Sequence, residues 1–211
     1  MKHLAFVLAL TAAMAACGDD GTGAEDDDGG TGAGTASSSS SAATGAGATG
    51  GSADEPCDSP GVYCDADAGL MWQVETESQA GSKSEANATC SALELAGFSD
   101  WRLPDISELR SLIRGCAQTE PGGACGVTTS CVEYACIDSC SGCAFGGGPG
   151  NGGCYWPAEL GDSSSCAGFW SANDVPDPIG EQPATWIVDF SFAKVTDEFQ
   201  GLSGTRCVRA H

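Results

Sequence analysis

The sequence predicts an α+β domain. Two capped, helix-period segments fall early, strand-like runs crowd towards the end, and one strand-like run near the start offers a partner for the closing one. In chain order, Gly69-Leu70-Met71-Trp72-Gln73-Val74 reads as a strand after a loop rich in Asp, Gly and Pro. Ser82 with Glu85 three residues later forms a capping box, and Ala86, Cys90 and Leu93 then share one helical face. Asp105 with Glu108 repeats the device after Pro104. Ile106, Leu109, Leu112 and Ile113 form the apolar stripe, and Gly115 is the expected stop. Between Cys116 and Cys166 the periodicity dissolves into glycines and eight cysteines. Strand-like runs return at Gly168–Ser171, Thr185–Phe192 and Ala193–Phe199, and Thr205–Arg209 closes the chain, so the expectation is two helices on a small, mostly antiparallel sheet.

Charge and composition exclude several functions. Among 211 residues there are 29 acids against 8 Lys and Arg, a net charge of -21. A phosphate backbone needs a basic stripe, so no nucleic-acid partner is expected. The 2 histidines, His3 and His211, leave no material for a Ser–His–Asp triad or a three-His zinc site. Acid–base catalysis would fall to carboxylates, and the expectation is that the chain is not an enzyme. The 13 cysteines instead indicate an oxidising compartment and a disulfide framework.

Residues 1–16 have a short charged start, an apolar run from Leu4 to Ala13 and small residues before Cys17, the pattern of a secretory signal too short to span a bilayer. Ala15-Ala16-Cys17 resembles the lipobox of bacterial lipoproteins, with Met14 where Leu is commoner. That resemblance implies acylation of the Cys17 thiol and a membrane-anchored chain in the bacterial envelope, at the outer membrane or cell surface. Twelve cysteines, an even number, then remain. Residues 17–56 open acidic and continue in Gly, Ala, Thr and Ser without an aromatic residue, so a disordered tether is expected. As a flexible coil its root-mean-square span is roughly 35 Å. Residues 57–211 make up the domain, with a Cys-rich insertion at 116–166.

Gly69-Leu70-Met71-Trp72, then Gly97-Phe98-Ser99-Asp100-Trp101-Arg102-Leu103-Pro104 leading into Glu108-Leu109, then Phe169-Trp170-Ser171 and Arg206-Cys207-Val208-Arg209, resemble the Lcl C-terminal domain family. The resemblance implies a C-type-lectin-like fold on an envelope protein without assigned activity. It also implies that Cys90, on the first helix, is joined to Cys207 on the closing strand. The rival arrangement has Cys90 pairing into the insertion and Cys207 pairing with Cys57 or Cys64. One class of members binds sulfated polysaccharide. Residues 57–211 depart from that, because their 21 acids and 7 Lys and Arg give a net -14 that repels sulfates.

Cys131-x4-Cys136-x3-Cys140-x2-Cys143 has an imperfect likeness to an iron–sulfur ligand run. Disulfides within the insertion are the favoured reading, since a segment so poor in large apolar residues needs staples. Trp72, Trp101, Trp170 and Trp186 are expected in the core rather than as sugar platforms. Arg102 and Arg206 are expected in ion pairs with the abundant acids rather than in a ligand clamp. Asn173, Asp174, Asp177 and Glu181, on a stretch between strands stiffened by Pro176, Pro178 and Pro183, are the candidate ligand-binding set. Their hard oxygens would suit calcium, and a solvated acidic loop is the alternative. The expected function is therefore an envelope-anchored binding module for a glycan or a surface protein. A structural envelope protein, or an enzyme related to formylglycine-generating oxidases, is the alternative.

Overall fold

Ser82 and Asp105 each start a helix by accepting from the amide three residues on, but the Glu85 carboxylate accepts from Gly81 N and so leaves the Ser82 box half formed. The Ser82 side chain accepts from the Glu85 amide at 3.3 Å and opens α1, Lys83–Ser91. Asp105 accepts from Glu108 N at 2.8 Å while the Glu108 carboxylate accepts from Asp105 N at 2.8 Å, a complete capping box that opens α2, Ile106–Ser111. The computed structural model describes residues 57–160, 166–178, 183–199 and 201–211. The expected signal segment 1–16, the lipidation site Cys17, the tether 17–56 and the candidate Glu181 lie outside the described residues.

Eight strands accompany the helices: β1 (Val62–Asp65), β2 (Leu70–Gln73), β3 (Glu77–Ala80), β4 (Gly168–Val175), β5 (Ala184–Asp189), β6 (Lys194–Glu198), β7 (Ser203–Thr205) and β8 (Val208–Ala210). The class is α+β, but the single small sheet is corrected to two. One runs β1-β2-β8 and the other β3-β7-β4-β5-β6. All pairings are antiparallel except β4 with β7, where Phe169 stands opposite Gly204. A Cβ at Gly204 would lie 2.6 Å from the Phe169 ring, so glycine is what lets these two strands close.

Alternation along the strands divides the core in two. Trp72, Phe169, Trp186 and Val188 face a large cluster with Ile106, Leu109, Leu112 and Ile113 of α2, so all four stripe residues are buried. Met71, Trp170 and Ile187 face the other way, against Ala86 and Cys90 of α1, Trp101, Leu103 and Cys207. The central strands are thus covered on both faces, which explains their continuous apolar character.

Three expectations are corrected. β1 lies where a loop is expected, because its Asp- and Gly-rich flanks hide a short edge strand, and β3 lies in a polar stretch to which the sequence assigns no element. The run Thr185–Phe192 ends at Asp189, whose carboxylate accepts from Ser191 N at 2.8 Å and turns the chain, with Ala193 at φ +52°. The run Thr205–Arg209 is broken, so Cys207 lies between β7 and β8 rather than mid-strand. The insertion also does more than hold itself together. It delivers Val127, Tyr155, Trp156 and Leu160 to the large cluster, with Trp156 packed against Phe169 and Phe190 at 5.9 and 5.2 Å between ring centroids.

Candidate functional site

Of the candidate set between the late strands, Asn173, Asp174 and Asp177 lie among the described residues, and each accepts a hydrogen bond from elsewhere in the fold. Asn173 and Asp174 belong to β4, not to a loop. Asn173 Oδ1 accepts from Ile106 N at 2.8 Å, a partner for the first amide of α2. Asp174 accepts from Lys83 Nζ at 2.5 Å and from Thr185 Oγ1 at 3.1 Å. Asp177 accepts from Tyr134 N at 2.7 Å and caps the 3-10 turn Tyr134–Ile137. A different element donates to each of the three side chains.

Among the described residues, two clusters have metal-ligand spacing: Cys57, Cys64 and His211, and Cys131, Glu133 and Cys136. In both, the sulfurs are bonded to each other, which removes the thiolates a metal would need. The other bridges are Cys90–Cys207, Cys116–Cys143, Cys125–Cys140 and Cys154–Cys166, so the eight insertion cysteines pair among themselves. Cys90 and Cys207 are both fully buried, with Cα atoms 5.3 Å apart.

The two arginines also part company. Arg102 makes a two-pronged ion pair with Glu108 at 2.6 and 2.7 Å, at the surface. Arg206 is buried, and among the described residues no acid pairs with it. Its Nη1 donates to the carbonyls of Gln73 and Val74 at 2.7 and 3.0 Å, and its guanidinium sits over Trp156 and Phe169. The ion-pair expectation is wrong for Arg206, because its neighbours are backbone oxygens and aromatic faces. No sequence signal distinguished it from Arg102.

An open cleft of about 550 Å³ lies elsewhere, lined by Tyr63, Arg114, Pro149, Pro157, Ala158 and Glu159. β1 presents Tyr63 opposite Trp72 across the ladder. Arg114 follows α2; its Nη1 donates to the carbonyls of Ser111 and Ile113 at 2.5 and 3.0 Å, and its Nη2 lies 3.7 Å from Asp65 Oδ2. These contacts hold the guanidinium while leaving 40% of the side chain accessible. Gly115, at φ +86°, turns the chain and lets Pro149 approach to 3.2 Å from where a Cβ would stand. Burial and the Asp65 carboxylate push the Tyr63 hydroxyl pKa up, against the pull of Arg114, so the phenol is neutral and able to donate. The cleft combines an aromatic face, proline edges, one cation and one exposed carboxylate. Sequence reasoning missed it because its residues come from β1, the end of α2 and the insertion, and no short motif joins them.

No curated protein and no solved structure matches the chain. The model of the family described as "Lcl C-terminal domain" matches residues 61–209, from just before β1 into β8. The disulfide framework fits an extracellular or envelope module, and among the described residues no helix is long and apolar enough to cross a membrane. With most of its length matched, the chain belongs to the Lcl C-terminal domain family.

Proposed function

We propose that the chain is a lipoprotein acylated at Cys17, displaying a C-type-lectin-like binding module at the cell surface, with the Tyr63–Arg114 cleft as the seat for a neutral saccharide. The observation that carries this reading is the cleft itself, with Tyr63, Pro149 and Pro157 beside Arg114 and Glu159. A sugar ring offers C–H faces to an aromatic and to prolines, and hydroxyls to a guanidinium and a carboxylate. The net -14 of the domain favours an uncharged ligand over sulfated ones. Calcium has no part in this reading, since Asp174 and Asp177 already accept from Lys83 and Tyr134.

A glycan array probed with the full chain, with and without calcium, tests it. Binding to neutral glycans, unchanged by chelator and weakened about tenfold by Tyr63→Ala, is the expected result. Binding that Tyr63→Ala and Arg114→Ala leave intact removes the cleft as the ligand seat, and a blank array leaves a structural envelope role. Fractionation of cells expressing Cys17→Ser tests the anchor: unchanged membrane partitioning would refute acylation.

A further inference from the structure

We propose that Cys57–Cys64 is a thiol–disulfide exchange centre in which His211 serves Cys57 as the proton donor. The sheet builds the site. β1 and β8 flank β2 on opposite sides, with Asp65 and Ala210 both opposite Leu70; Cys64 stands near this end of β1, opposite Met71, and its bridge brings Cys57 there too. The His211 amide continues the pairing by donating to Gly69 O at 2.9 Å, and its Nε2 lies 2.9 Å from Cys57 Sγ. The three ligand-type atoms lie within 4.8 Å of one another.

Two further features set this bridge apart. Both of its cysteines are partly exposed, whereas each of the other five bridges has at least one buried cysteine. It also joins residues only 7 apart at the very start of the described domain, so opening it leaves the core and both sheets paired. An incoming thiolate can therefore reach it without unfolding the domain, and reach is the first requirement of exchange.

The neighbouring imidazole sets the direction of attack. A thiolate from an external thiol attacks Cys64 Sγ, forming a new S–S bond and breaking Cys57–Cys64. The electron pair leaves on Cys57 Sγ, which takes the proton from His211 Nε2. With a dithiol reductant, its second thiolate attacks the sulfur it has donated, closes the reductant's own disulfide and releases Cys64 as thiolate. The protein pair gains two electrons and the dithiol loses two. A leaving thiolate stabilised by a cationic or N–H neighbour departs faster, so Cys57 leaves and Cys64 carries the mixed disulfide. This inference is independent of the cleft.

The experiment treats the full chain with glutathione, quenches with an alkylating agent and maps the peptides. Expected is glutathione on Cys64 and the alkyl group on Cys57, while the other ten bridge cysteines stay paired. His211→Gln should slow opening roughly tenfold without changing which bridge opens. Opening of any other bridge first, or adducts mainly on Cys57, overturns the proposal. An unchanged rate in His211→Gln overturns the role of the imidazole. The Cys90–Cys207 peptide, read in the same map, shows that each variant is folded.

Discussion

The guanidinium carbon of Arg206 lies 4.9 Å from the centroid of the Trp156 ring, and this contact ties the closing segment of the chain to the Cys-rich insertion. Phe169 lies against the same guanidinium at 5.3 Å, and the Gln73 and Val74 carbonyls accept from Nη1 on the far side of β2. One fully buried cation therefore joins β2, β4, the insertion and the β7–β8 junction. A guanidinium suits this place because it is weakly hydrated, stacks on rings and donates from its edge at the same time.

Arg206→Met should cost about 2–4 kcal/mol, because the apolar stack survives while two buried carbonyls lose their donor. Urea titration measures it. Burial pushes the Arg206 pKa down to about 9, so the group is still charged at neutral pH. Its folded pKa lies below the unfolded one, so the unfolded chain binds more protons only above about pH 9. The loss in Arg206→Met should consequently be the same at pH 6 and pH 8.

Trp156→Ala should cost about 3–5 kcal/mol, the range for truncating a fully buried aromatic. An insertion that merely hung from the domain would tolerate the change, so a loss under about 1 kcal/mol in chemical denaturation would contradict its place in the core.

Replacing Cys90 and Cys207 together by Ala removes a bridge between residues 117 apart, worth up to about 4.7 kcal/mol in the chain-entropy model. Replacing Cys57 and Cys64 removes a closure between residues 7 apart and should cost about half as much. Thermal melts of the two double variants should rank in that order.

What the sequence made legible follows from how local each signal is. The Ser82 cap, the Asp105 capping box and the stripe Ile106, Leu109, Leu112 and Ile113 are written within one or two turns and stand where expected, except that the Glu85 carboxylate accepts from Gly81 N rather than closing the box on Ser82 N. Cys90 is fully buried on α1 and bonded to Cys207, but the extended run imagined around Cys207 is broken between β7 and β8. Trp156 was passed over because it sits among glycines and cysteines without periodicity; the cluster Cys154-Tyr155-Trp156-Pro157 was the available clue. Asn173, Asp174 and Asp177 suggested an ion because composition shows oxygens, not their partners. Those partners, Ile106 N, Lys83 and Tyr134 N, lie more than forty residues away in the chain.

Glu108 gives the domain a predictable sensitivity to acid. Burial alone would raise its pKa, but the Arg102 guanidinium and the Asp105 amide both favour the charged form and hold it below the usual glutamate range. A carboxylate whose folded pKa is depressed adds stability above its unfolded pKa, near 4.5, and loses that contribution as the pH falls through the folded value. Glu108→Gln keeps the shape and can still accept from Asp105 N, but it surrenders the charge-assisted pair with Arg102. The pair is half exposed on the arginine side, with 48% of that side chain accessible, so screening limits its worth. The substitution should therefore cost about 1 kcal/mol at pH 7. That cost should shrink as the pH falls through the depressed folded pKa of Glu108, where the wild-type carboxylate is itself protonated. Urea titrations of both proteins in a series from pH 7 downwards check it, and a cost that stays constant through the acid range would mean that the Arg102–Glu108 charge pair adds nothing to the capping box.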